Sequence, residues 1–312
     1  MIVITGSLAF DHIMDFPGYF KDHILPDKIH ILNVSFLVRT LKRQRGGIAG
    51  NVAHNLGLLR ESPTVFATAG GDFVLYQEKL TEVGVDVSQI KIYDGESTAL
   101  AFITTDLDDN QIAGFYPGAM SHARDLSLTA LPEKPRLVLI GANDPRAMRN
   151  FIYECQRLNV DYIFDPAQQL VTLTAEHIKT GVLGSKVTIG NDYEIQLIMR
   201  KLELSKKELL RGTEVLITTR GVKGSVIETD NQEFEIPIAK PKKRVDPTGV
   251  GDAYRAGIVK GLIKGWDFEK MGKVAALCAT YALEQYGTQE HSFTKREFEG
   301  RYKKEFGEKV EL

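Results

Sequence analysis

Apolar and polar positions along this chain switch between two periods, and the switches predict its elements. Ile2-Val3-Ile4-Thr5, closed by Gly6, reads as a first strand. From 12 to 45 the alternation is strand-like with polar turns, and Gly46-Gly47 ends it. Val52, Leu56 and Leu59 then recur at helical spacing after Asn51, followed by a strand over 64–69 and a helix over 72–83. Residues 90–116 hold three short strand patterns (90–93, 98–105 and 111–116) joined by polar turns such as Asp108-Asp109-Asn110. Strands over 137–140, 162–164, 186–189 and 215–218 then alternate with helices over 145–157 and from Asp192. Two short strands, 225–229 and 233–237, precede a helical end over 249–306. Ser205 with Glu208 and Thr294 with Glu297 have capping-box spacing.

This alternation predicts an α/β fold, a central and mostly parallel sheet with helices on both faces. The strand-rich segments 12–45 and 90–118 would break it, so they read as a small β-sheet lid on a single domain spanning 1–312. Open α/β sheets bind ligands beyond the carboxyl ends of their strands, which places the expected site between sheet and lid. Composition agrees: 43% hydrophobic and 26% charged residues describe a folded globular chain rather than a disordered one. A net charge of −2 supplies no global field for nucleic acid or an anionic membrane, so neither is an expected partner. Apolar runs such as 137–142 fall short of the ~18 residues of a spanning helix, and the amino end lacks a basic leader, so the expectation is a cytoplasmic protein. Cys155 and Cys278 form no C-x-x-C and sit in apolar helical contexts, as buried free thiols do.

The most informative segment runs from Val245 to Gly257. Pro247, Gly249 and Gly251 exclude helix before about residue 250, and good helix formers follow, so Asp252 falls in a first helical turn. Backbone N–H groups of Val250, Gly251 and Asp252 there make a cradle for an anion, aided by the helix dipole. The Asp252 carboxylate beside it is placed to take a proton from an attacking hydroxyl. A plain glycine turn with an acidic residue complementing the dipole is the alternative.

Asp246-Pro247-Thr248-Gly249-Val250-Gly251-Asp252 resembles the D-T-x-G-A-G-D signature of the ribokinase (PfkB carbohydrate kinase) family. Gly46-Gly47-Ile48-Ala49-Gly50-Asn51 resembles its glycine pair with a helix-opening Asn, and Gly6-Ser7-Leu8-Ala9-Phe10-Asp11 its first strand and substrate-binding Asp. The resemblance spans nearly the whole chain in order. It implies a ribokinase-like fold and an ATP-dependent kinase with Mg2+, a monovalent cation such as K+ being a further option. In it Asp252 is the general base, and Gly249, Val250 and Gly251 are the anion hole. Asp11, Gly47 and Asn51 contact the acceptor's hydroxyls. Asn191 and Glu194 match the family's N-x-x-E, with Glu194 reaching the metal through water; by themselves they are an N-cap and its capping-box partner. Thr219, Gly221 and Gly224 resemble the turn along the nucleotide, and they also read as a hairpin into the next strand. His291 lies where relatives wrap the adenine, or is an ordinary loop residue.

Pro247 and Val250 depart from the signature, as do Ala9 and Arg255. One turn beyond Asp252, Arg255 is open to three roles: holding a phosphate, pairing with Asp252, or facing solvent. The runs Lys42–Arg45 and Lys240–Arg244 read as solvated turns. The lid segment 111–120 resembles that of bacterial adenosine-kinase-like members, and Phe102, Phe115 and Tyr116 offer aromatic faces for a purine, with core packing the alternative for Phe102. The expected reaction is γ-phosphoryl transfer to a hydroxymethyl group, adenosine or another purine nucleoside at its 5′-hydroxyl first. A sugar kinase of the ribose or fructose type and a silent nucleotide-binding regulator are the rivals, and the assembly is a monomer or a lid-mediated homodimer. A nicotinamide-binding oxidoreductase is excluded, because no G-x-G-x-x-G follows the first strand.

Overall fold

The computed structural model describes residues 1–25, 30–31, 33–108 and 110–312. Positions 26–29 and 32 of the first lid segment, and Asp109 of the expected 108–110 turn, lie outside the described residues. In chain order the first elements are β1 (Ile2–Thr5), β2 (Ala9–Asp15), β3 (Thr40–Gly46), α1 (Ile48–Leu58), β4 (Thr64–Val65), β5 (Thr68–Gly70), α2 (Val74–Glu82), β6 (Lys91–Tyr93), β7 (Ala99–Thr105) and β8 (Gln111–Tyr116). Then follow β9 (Leu137–Ile140), α3 (Pro145–Leu158), β10 (Asp161–Phe164), α4 (Ala175–Val182), β11 (Ser185–Asn191), α5 (Asp192–Leu202) and α6 (Lys206–Leu210). The last are β12 (Thr213–Thr219), β13 (Ser225–Glu228), β14 (Glu233–Ile236), α7 (Val250–Lys264), α8 (Phe268–Leu283) and α9 (Lys295–Phe306).

Eight strands form the main sheet in the order β14-β13-β12-β11-β10-β9-β1-β4. It is parallel from β4 to β12, and β13 and β14 add an antiparallel edge. Successive residues of a strand point to opposite faces, and the two cores divide on that parity. Ile4, Leu139, Ile163, Val187 and Ile217 pack with α1, α7 and α8. Val3, Val138, Ile140, Tyr162 and Leu216 pack with α3, α4 and α5 on the other side. Cys278 belongs to the first core and Cys155 to the second, both buried and free as expected.

The lid is a separate four-stranded sheet, β3-β2-β7-β8, with β2 and β7 parallel and both outer pairs antiparallel. It is narrower than the expected 12–45 and 90–118. Of the three short strands, β6 stays outside: the chain leaves the main sheet after β4, and β5 pairs with β6 in a separate parallel two-stranded sheet. The single strand expected over 64–69 is thus two. Between β2 and β3 the described chain is a short 3-10 turn and loop rather than further strand. The helical end divides into α7, α8 and α9, since Gly265 closes α7 in the left-handed region (φ 64°) and Asp267 caps α8. All three capping boxes form, at Asn191, Ser205 and Thr294.

Candidate active site

Lid and sheet face each other across a cleft of about 730 Å³ over the carboxyl ends of the parallel strands. Its floor is the start of α7. Gly249 caps that helix at φ 74°, and a Cβ there would lie 2.9 Å from the Thr288 side chain, so glycine is required on both counts. The N–H groups of Gly251 and Asp252 have no acceptor in the described structure. Val250 differs from expectation, because its N–H already donates to the Pro247 carbonyl at 3.3 Å. Asp246 ties the turn down, accepting from the N–H of Thr248 and of Gly287, both at 2.9 Å.

Asp252 lines the cleft and accepts one side-chain hydrogen bond, from Asn51 Nδ2 at 2.7 Å. Burial pushes its carboxyl up from 3.8 to about 6, against the pull of Arg255 and the Asn51 bond. It is therefore ionised at neutral pH, with a pKa near the operating range of a general base. Asn51 is thus bonded to Asp252, and its Oδ1 is also engaged, by Gln289 Nε2 at 2.8 Å. Gly47 opens α1 at φ 87°, where a Cβ would meet the Ser7 carbonyl at 2.5 Å.

Across the cleft Asp11 sits on the inner face of β2 and accepts no hydrogen bond from the described protein. Its pKa too is raised to about 6, by burial and then by Asp246. Ala101, Ile103 and Phe115 share that inner face. Phe102 does not: it is one residue out of phase and stacks on His12 on the outside of the lid, ring centroids 5.0 Å apart and 43% exposed. Of the three expected aromatic faces, Phe115 lines the cleft and Phe102 does not.

Asn191, Glu194, Thr219, Gly221 and Gly224 all line the cleft. Asn191 and Glu194 exchange both capping-box bonds at 2.8 Å, and the Thr219–Gly224 turn leads into β13 as a hairpin. Beyond them lies an apolar slot of Ile238, Pro241, Ala276, Ala279 and Leu283. His291 is not in it. Its ring is buried against α1, with Nε2 2.7 Å from Asn55 Oδ1 and its edge toward His54. Burial lowers its pKa to about 3, so it is a neutral packing residue.

Of the three roles open to it, Arg255 does not take the solvent-facing one. It is buried and forked onto Asp165 at the end of β10, through Nη2 to Oδ1 at 2.7 Å and Nε to Oδ2. Glu194 Oε2 lies 4.0 Å from it. Asp165 and Gln289, which sequence reasoning missed, are outside the cleft lining and act on it by holding Arg255 and Asn51. Nor is Lys42–Arg45 a solvated turn, since it lies within β3 with Arg43 over the Phe10 ring and Lys42 over that of Tyr286.

A profile of the pfkB family carbohydrate kinases matches residues 8–295. The chain belongs to the PfkB family. This PfkB kinase is 32% identical over 296 residues to a nucleoside kinase of Methanothermobacter thermautotrophicus, covering 92% of this chain and 91% of that protein. Among solved structures it resembles a nucleoside kinase of Burkholderia thailandensis in complex with inosine, at 32% identity and a TM-score of 0.91, covering all of both chains. The same protein with ADP and inosine superposes with a TM-score of 0.89 at 33% identity, covering 100% of this chain and 98% of that one. The PfkB kinase is a phosphotransferase with an alcohol acceptor and takes ATP as its nucleotide. Among the described residues no helix is long and apolar enough to cross a membrane.

Proposed function

We propose that the chain is a nucleoside kinase that moves the γ-phosphoryl group of ATP to the 5′-hydroxyl of a purine nucleoside. The observation that carries this reading is the pairing of two unlike carboxylates across one cleft. Asp252 is bonded to Asn51 beside two free amides, whereas Asp11 is left without a protein donor on the lid's inner face. An acceptor-only carboxylate in that position suits a pair of vicinal ribose hydroxyls. Ala101, Ile103 and Phe115 next to it offer an apolar surface that a bare sugar has no use for. The cations lining the cleft among the described residues are Arg244, at the apolar nucleotide slot, and Arg255, already held by Asp165. Among the described residues, the acceptor end thus offers no free cation for a sugar phosphate.

In the reaction, Asp252 takes the 5′-hydroxyl proton as that oxygen bonds to the γ-phosphorus and the bond to the β-phosphate oxygen breaks, releasing ADP. The N–H groups of Gly251 and Asp252 donate to the transferring oxygens. Asp11 orients the ribose, and positioning of this kind is the main contribution a protein makes to phosphoryl transfer. Glu194 fits a water-mediated hold on Mg2+. Its Oε2 is occupied by the Asn191 N–H, while Oε1 has no hydrogen-bond partner in the described structure. Such an ion rests on one or two carboxylates, waters and the substrate's phosphates, and when bound it neutralises charge on the β- and γ-phosphates.

The test is a steady-state comparison of adenosine, inosine, ribose and fructose with ATP, in the wild type and in Asp11→Ala. The expected result is preference for the nucleosides, with KM for them raised ~10- to 100-fold in the variant, as for loss of a charge-assisted hydrogen-bond site. Preference for either free sugar overturns the nucleoside reading and leaves the kinase standing.

A further inference from the structure

Beneath Asp252 lies a buried chain of hydrogen bonds that no step of the reaction above uses. It starts at the Gly46 carbonyl, the last residue of lid strand β3, which accepts from Tyr76 OH at 2.8 Å. Tyr76 in turn accepts from Gln289 Nε2, and the same nitrogen donates to Asn51 Oδ1 at 2.8 Å. Asn51 Nδ2 then donates to Asp252. Tyr76 is fully buried, and Asn51 and Gln289 are 4% and 5% exposed.

The two ends dictate the direction of every bond between them. A backbone carbonyl only accepts, so the single Tyr76 proton is spent on Gly46 and the phenol oxygen must accept from its other neighbour. Gln289 must therefore turn its NH2 inward, which leaves Asn51 facing it with Oδ1 and facing Asp252 with Nδ2. The other arrangement would aim Asn51 Oδ1 at the carboxylate, which is tolerable only if Asp252 is protonated. Gln289 Oε1 is buried without a partner, an unfavourable arrangement for an amide whose only task is packing. Gly50 admits the Tyr76 hydroxyl at a point where a Cβ would overlap it.

We propose that Gln289, held by Tyr76, is a positioning residue that fixes the Asn51 amide so that Asp252 is kept in its ionised, proton-accepting form. Through the Gly46 carbonyl the same relay ties the base to the lid strand whose closing residue packs against Asp11. The proposal rests on the kinase reading only in taking Asp252 as the base. The charged or titratable groups facing Asp252 are Arg255 of its own helix, Asp165 after β10, Asp11 of β2 and Tyr76 of α2. Gln289→Met changes none of these, and Tyr76→Phe removes only the phenol.

The experiment is a 13C NMR titration of the Asp252 carboxyl in the full chain, assigned by the signal lost in Asp252→Asn. It is paired with the pH dependence of kcat for inosine and ATP. In Gln289→Met the Asp252 titration should move up by about one pH unit, the size expected when a hydrogen bond to a charged group is lost. The acid limb of kcat should move with it while KM for ATP stays unchanged. Tyr76→Phe, a milder change, should shift both in the same direction by less. An Asp252 titration unmoved in both variants overturns the relay, whatever happens to their melting temperatures. Full turnover in Asp252→Asn overturns instead the assignment of the base, so the two failures are distinguishable.

Discussion

Replacing Asp252 by Asn should inactivate the enzyme and stabilise it. Its carboxyl titrates at 3.8 in the unfolded chain and at about 6 in the cleft, chiefly because burial disfavours the charged form. With the pKa raised in the folded state, the folded protein binds more protons between pH 4 and 6. Stability is therefore lost as pH rises through that window, and the loss is complete above it. A shift of this size corresponds to about 3 kcal/mol at neutral pH, the net of burial against the Asn51 bond and Arg255. Asparagine fills the same volume with a neutral group whose Oδ1 still accepts from Asn51 Nδ2. The variant should thus gain up to about 3 kcal/mol at pH 7 and less than about 1 kcal/mol at pH 4, while kcat falls ~10²-fold or more for want of a base. Urea unfolding at pH 4, 5, 6 and 7, with a coupled ADP-release assay at pH 7, measures both. A variant less stable than wild type at pH 7, or a gain independent of pH, would refute the burial argument. Near-normal turnover would refute the base.

Asp165→Asn removes half of a buried fork whose Asp side chain is fully inaccessible, and it should cost ~3–5 kcal/mol by stranding Arg255. The urea midpoint should drop without a change in slope, and Asp165→Leu combined with Arg255→Met should recover part of the loss. In Gly251→Val the new Cβ lies 2.8 Å from Arg255 Nη1, a group unable to retreat while Asp165 holds it. Turnover should fall ~10-fold or more as the amide cradle is obstructed, and unchanged kinetics with ATP would refute the cradle. Phe115→Ala should raise KM for inosine several-fold, whereas Phe102→Ala should leave it unaltered, because the two rings stand on opposite faces of the lid. Equal effects would mean that the faces are misassigned.

What the sequence determined by itself was local. Glycines at 47 and 249, the helix start after Gly249 and the three capping boxes are set by backbone conformations that few residues adopt, so they are legible without a fold. The alternation of strands with helices foretold a sheet covered on both faces, and three spaced signatures pointed to Asp11, the Gly47 turn and Asp252. Tertiary structure decided the rest, because it depended on partners distant along the chain. Whether Phe102 or Phe115 faces the cleft is a matter of one residue of phase, set by the β2–β7–β8 register and not by aromatic character. Arg255 could not be assigned until Asp165, 90 positions away, came within reach, and His291 stayed open between a nucleotide contact and an ordinary loop residue until α1 was seen to pack against it. Gln289 carried no sequence signal at all. Its significance comes from a hydrogen-bond direction imposed by a carbonyl at Gly46, more than 200 positions earlier, and only folding brings these two ends together.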